Sequence, residues 1–179
     1  MPLSKPLVAV AAVLIMLVAG PTASAATGCA AARASVSKVS NRALVRATLC
    51  VLNGERARHD RRPLRLSRRL SRAARRHSRA MARRRFFSHT SPSGASFVDR
   101  IRRTGYLSGA RSWAVGENIA YGSGSRSTPR SIGTAWMNSA GHRANILSSS
   151  YRAIGIGIAL GMPVGAGGAT YTTDFGRRG

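Results

Sequence analysis

The sequence predicts an α+β fold, helical over most of its length and closed by a C-terminal β-hairpin. Two observations carry this expectation. Residues 41–58 and 67–84 place apolar side chains at helical spacing, whereas residues 151–160 alternate, with Ile154, Ile156, Ile158 and Leu160 facing one way and Gly155, Gly157 and Ala159 the other. A glycine-rich turn at residues 165–168 then returns the chain into a second strand, residues 169–176. The glycine face of the first strand lets a helix or side chain come close to its backbone, which predicts a central position in a sheet.

Taken in order, the chain opens with a segment that reads as a secretory signal peptide, residues 1–25. Lys5 supplies a positive start, residues 7–19 an apolar run too short to span a bilayer, and Ala23, Ser24 and Ala25 a small-residue cleavage site. The expected product is a secreted protein, extracellular or associated with the cell wall, that begins near Ala26 and carries no later transmembrane span. About 154 residues then remain, enough for one monomeric domain with its own core. Export places Cys29 and Cys50 in an oxidising compartment, where the pair is expected to form a disulfide tying a tail, residues 26–40, to the first helix. A closed loop of that length contributes about 3 kcal/mol by the chain-entropy model. An acylated Cys29 is the alternative, although no leucine stands three residues before it.

Without Lys5 the chain carries 28 basic and 5 acidic side chains, a net charge of +23, nearly all of it arginine. Such a field draws a protein to anionic wall polymers, lipid headgroups or nucleic acid, and it weakens with salt. Coding bias toward arginine and alanine produces the same composition without any such partner. No motif for sequence-specific nucleic-acid binding is present.

In the first helix, Leu44, Val45, Leu49, Val51 and Leu52 form the buried face, leaving Arg42, Arg46 and Arg56 to solvent. Pro63 ends that run, and Ser67 is placed to cap a second helix extending to about Arg84. Its inner face reads Leu70, Ala73, Ala74, His77, Ala80 and Met81, with His77 a core histidine satisfied by a hydrogen bond. Its outer face is a stripe of arginines centred on Arg72, Arg76 and Arg79, the expected contact for a polyanion. Phe86 and Phe87 anchor a loop, residues 88–94, that presents His89, and a short helix over residues 97–103 stops at Gly105. Glu117, one of the five acidic residues, lies between Gly116 and the apolar Ile119 and Ala120, so it is expected to be buried and partnered. Residues 122–127 read as a flexible loop, and Pro129 opens a helix that turns Ile132, Ala135 and Trp136 inward. In the stretch WMNSAGHRANIL, Ser139, Ala140 and Gly141 offer a capped turn that puts His142 at a helix start. Free backbone N–H groups and the helix dipole there favour a neutral imidazole, able to bind metal or accept a proton; the plainer alternative is a capping residue.

Together, FFSHTSPSG, GENIA, WMNSAGHRANIL, YRAIGIGIAL and YTTDFG resemble the bacterial secreted branch of the CAP superfamily, the cysteine-rich secretory, antigen 5 and pathogenesis-related 1 group. The resemblance runs from about residue 41 to residue 176, and a domain over residues 41–179 is assigned from it. It implies a three-layer α-β-α sandwich whose cleft, lined by two histidines and acidic residues, can bind a divalent metal. By motif these are His89, His142 and Glu117. Where many members carry a second glutamate, this chain has Ser139, which makes Ca²⁺ or Mg²⁺ less suited to the cleft and leaves a set that suits Zn²⁺. Two functions follow as expectations. The preferred one is a binding or structural module for an envelope polyanion or lipid; the other is a metal-dependent hydrolase using His89, Glu117 and His142. Neither an H-E-x-x-H nor a G-x-S-x-G motif supports the second.

Overall fold

The structure, a computed structural model, describes residues 29–179, so the predicted signal peptide lies outside the described residues. Helices α1 (Asn41–Ala57), α2 (Arg68–Arg84), α3 (Phe97–Arg102), α4 (Pro129–Met137) and α5 (Ala140–Leu147) surround strands β1 (Arg65–Leu66), β2 (Trp113–Gly122), β3 (Ala153–Leu160) and β4 (Ala169–Arg178). Side-chain caps fix four of the helix starts. Ser40 and Ser67 accept from Ala43 and Leu70, Ser96 forms a capping box with Asp99, and Thr128 accepts from Ser131 just before Pro129. None of the helices described is long and apolar enough to cross a membrane.

The four strands run in the order β1-β3-β4-β2. The β3–β4 hairpin stands where the alternation predicts it, and β1 adds a short parallel edge. Strand β2 was not legible in advance, yet it pairs with β4 along its whole length. Its two consecutive polar residues, Glu117 and Asn118, point to opposite faces and are both buried, which hides the period of two.

The glycine face of β3 does what the sequence implies. A Cβ on Gly155 would come within 2.1 Å of the Leu70 backbone, and one on Gly157 within 2.2 Å of the Ala74 backbone, so α2 lies directly against the sheet. Ser78 completes that contact by donating to the Gly157 carbonyl at 2.9 Å, while Ala80, expected inside, is only half-buried. On the opposite face, Ile154, Ile156, Ile158, Tyr171 and Phe175 pack with Leu44 and Leu52 of α1, Ile132 and Trp136 of α4, and Ile146 of α5. The result is an α-β-α sandwich. Leu160, the last of the alternating residues, is 64% exposed at the strand's end.

The Cys29–Cys50 disulfide is present and joins a 3-10 turn, Ala30–Arg33, to α1. The segment before α1 is more than a tether, because Ala32 and Val36 are buried in the core. Residues 122–127 are also more ordered than their composition suggests: Gly124–Ser127 forms a 3-10 turn, and the Tyr171 hydroxyl donates to the Ser127 carbonyl. Two expectations are reversed: Ala135, which the spacing turns inward, is exposed on α4, and an arginine of α1 goes the other way. Arg56, assigned to solvent, is fully buried, and it donates to the carbonyls of Arg62, Ile146 and Ser148. Carbonyls at the C-terminal end of α5 stand in for a carboxylate there, which is how a guanidinium is accommodated inside.

The close approach of α2 makes a direct test possible. Gly157→Ala should lower unfolding stability by about 2 kcal/mol or more, since the added methyl meets backbone that no rotamer change can move. Gly141→Ala, in an open helical position, should be neutral or slightly stabilising. Urea unfolding of both variants checks the pair.

Candidate functional site

The site lies at β2, an edge strand of the sheet. Glu117 faces the α2 side with both oxygens engaged. Arg100, from α3, donates through Nη2 to Oε1 at 2.9 Å and to Oε2 at 2.7 Å, and His89 Nδ1 donates to Oε1 at 2.9 Å. Arg100 also holds the loop that carries His89, donating to Ser91 Oγ and to the Ala95 carbonyl. Phe87 steadies the start of that loop with an edge-on contact to Tyr121 of β2.

Burial alone would push the Glu117 carboxyl up. The hydrogen bond from His89, the charge of Arg100 and that of His77 more than offset it, and the group lies below the ordinary glutamate value. Directly across the ladder is Asp174 of β4. Its carboxyl is fully buried and pushed well above the aspartate range by burial, by the Glu117 charge and by a hydrogen bond with Glu117, with Arg100 opposing. Among the described residues no N–H or hydroxyl donor reaches either Asp174 oxygen, so the neutral acid donating to ionised Glu117 is the arrangement that satisfies both groups.

His142 reaches the site from the other layer. Ser139 occupies the N-cap position of α5, yet its hydroxyl makes no cap bond; it pairs with His142 Nδ1 at 2.9 Å instead. The His142 carbonyl accepts from Asn118, and Asn145 of the same helix donates to the Glu117 carbonyl and to Asn118 Oδ1. Its imidazole is held below the ordinary histidine pKa by burial and, second, by the nearby charge of His89. The neutral ring expected from the helix start is thus obtained, with desolvation as the main cause. Two contacts result, His89 with Glu117 on one face of β2 and His142 with Ser139 on the other. His77 stands apart with its Nε2 donating to the Ser88 carbonyl, the role predicted for it. Arg72, Arg76 and Arg79 are exposed on α2.

A family model for CAP, the cysteine-rich secretory protein family, matches residues 49–171. The chain belongs to this family. The uncharacterized protein YkwD of Bacillus subtilis is 37% identical over 105 residues, 59% of this chain and 38% of that protein. Among solved structures, an extracellular protein containing an SCP domain from Bacillus anthracis superposes with a TM-score of 0.59 at 25% identity, covering 78% of this chain and 44% of that one. An outer surface protein from Borrelia burgdorferi shares the fold, with a TM-score of 0.64 at 17% identity over 79% of this chain and 97% of its own. The CAP domain described here spans less than half the length of YkwD and of the Bacillus anthracis chain.

Two residues of this CAP site escaped sequence reasoning. Arg100 is one arginine among many, and nothing in its neighbours marks it. Asp174 did carry a signal, as the one charged side chain in residues 169–176. Its raised pKa has a consequence for stability. A carboxyl raised in the folded state contributes stability that is fully present below its unfolded pKa, about 3.9, and lost as pH rises through the folded value. The melting temperature of Asp174→Asn relative to the parent protein should therefore increase steadily from pH 4 to pH 8. A constant or falling difference in thermal melts would show that Asp174 is not held neutral.

Proposed function

We propose that this CAP domain is an extracellular binding module whose cleft takes a divalent cation through His89 and His142, Zn²⁺ in preference to Ca²⁺. The observation that carries the reading is the parallel anchoring of the two rings. Each Nδ1 is tied to an oxygen, of Glu117 in one case and of Ser139 in the other, which leaves each Nε2 as the atom available to a ligand. Glu117 serves as the orienting residue, because its oxygens are already occupied by Arg100 and His89. The donor set fits a borderline-soft ion with further positions open to solvent or ligand, and a bound ion there would supply Lewis acidity. Among the described residues no group of three or more His, Cys, Asp or Glu side chains is placed to hold a metal, so the two imidazoles are the protein ligands on which the reading rests.

Extracellular placement is supported by the disulfide and by the structural relatives, one an extracellular protein and one an outer surface protein. The outward arginines of α2, Arg72, Arg76 and Arg79, have no carboxylate partner among the described residues, and they supply the surface for an anionic envelope component.

Titration calorimetry with ZnCl₂ tests the cleft. The parent protein should bind in the micromolar range or tighter, His89→Ala and His142→Ala should each lose most of that affinity, and Glu117→Gln should cost about ten- to a hundredfold. Affinity should fall on acidification as protons compete for the imidazole lone pairs. Equal zinc binding by both alanine variants would exclude the site.

A further inference from the structure

A second concavity, of about 190 Å³, lies between α2 and the segment that runs from the His89 loop into α3. Among its basic side chains, His77 and Arg100 are buried, while Arg76, Arg84 and Arg103 are exposed. Among the described residues, Nδ1 of His77 and Nε of Arg100 have no hydrogen-bond partner. Buried polar atoms in that state are uncommon, and two on one cavity call for a common explanation.

The two atoms ask for different things. His77 already donates through Nε2 to the Ser88 carbonyl, and burial foremost keeps the ring below its ordinary pKa, so Nδ1 presents a lone pair and needs a donor. Arg100 Nε carries a proton and needs an acceptor. Four guanidiniums line the cavity, and among them only Arg100 has a carboxylate partner, Glu117. The acceptor is therefore an anion, and guanidinium geometry favours a phosphate or carboxylate. A ligand that brings an oxyanion and a hydroxyl a few atoms apart satisfies both orphans at once.

We propose that this cavity binds the phosphate of a phosphorylated polyol of the glycerol phosphate type. The oxyanion accepts from Arg84, Arg100 and Arg103, and a neighbouring hydroxyl donates to His77 Nδ1. The site needs neither a metal at His89 and His142 nor Arg72 and Arg79 of the outward stripe. The ligand's chemistry is shared by a free polyol phosphate and by a lipid headgroup.

The test titrates the whole protein with glycerol 3-phosphate, and in parallel with phosphatidylglycerol and phosphatidylcholine vesicles, at fixed ionic strength. Arg84→Gln/Arg103→Gln removes two cavity charges, and Arg72→Gln/Arg79→Gln removes two stripe charges, so the pairs are matched in net charge. Unchanged melting temperatures establish that both stay folded. The cavity pair should weaken binding by about tenfold or more, as the loss of charge-assisted hydrogen bonds implies, and the stripe pair by less than about threefold. That pattern with glycerol 3-phosphate alone identifies a soluble ligand; the same pattern also on phosphatidylglycerol, with none on phosphatidylcholine, identifies a headgroup, and either upholds the proposal. Equal weakening by the two pairs, absence of binding to both phosphate probes, or inorganic sulfate binding as tightly as glycerol 3-phosphate would overturn it.

Discussion

The arrangement at the edge of the sheet depends on one buried interaction, the two-oxygen grip of Arg100 on Glu117. A carboxylate shut away from water costs several kcal/mol unless it is paired and hydrogen-bonded, so Glu117 can occupy its place only if its partners are drawn to it. Those partners come from three separate segments: Arg100 from α3, His89 from the preceding loop and Asp174 from the next strand. Meeting the carboxylate's needs thereby sets the path of residues 86–100, because the same guanidinium that pairs with Glu117 also fastens Ser91 and Ala95. Removing the arginine would strand a buried charge, which is a larger penalty than losing an exposed ion pair.

On the other face of β2 the contacts are made by neutral groups. Asn118, the residue after Glu117, points the opposite way and bonds to α5, and Asn145 returns two hydrogen bonds to the strand. Gly116 is what allows this approach, since a Cβ there would lie 2.5 Å from the Tyr151 hydroxyl and 2.9 Å from Asn145 Oδ1. Beneath α5, buried Arg56 takes the carbonyls at the helix end. Thus GEN, three consecutive residues, supplies a close approach, an ionic anchor on one face and an amide anchor on the other. Each imidazole is positioned by its own network, and the two networks share the backbone of β2.

What could be read from the sequence follows from where the signal is local. The helices at residues 41–58 and 67–84, the N-cap positions of Ser67 and Ser139, and the alternating strand at residues 151–160 each declare themselves within a dozen residues. Strand β2 did not, because its burial on both faces erases alternation and its glycines and asparagine mimic a loop. Glu117 was legible as a buried carboxylate in need of a partner, but the identity of that partner was not: pairing with Arg100 is a tertiary fact with no local trace among so many arginines. Arg56 failed for the same reason, since helical spacing gives the direction of a side chain and not what waits there. Ser139 was recognised at its N-cap position, while the diversion of its hydroxyl to His142 depends on the ring's position.

The central claim is that the buried Glu117 carboxylate fixes the tautomer of His89, so that Nδ1 carries the proton and Nε2 is left bare. Long-range ¹H–¹⁵N correlation spectra of the histidine side chains at neutral pH, with His89→Gln used to assign the ring, test this most directly. The account requires the Nδ1–H tautomer at His89 in the parent protein and its loss in Glu117→Gln. A His89 ring that is protonated on Nε2, or that shows the same tautomer mixture with and without the Glu117 carboxylate, would contradict it.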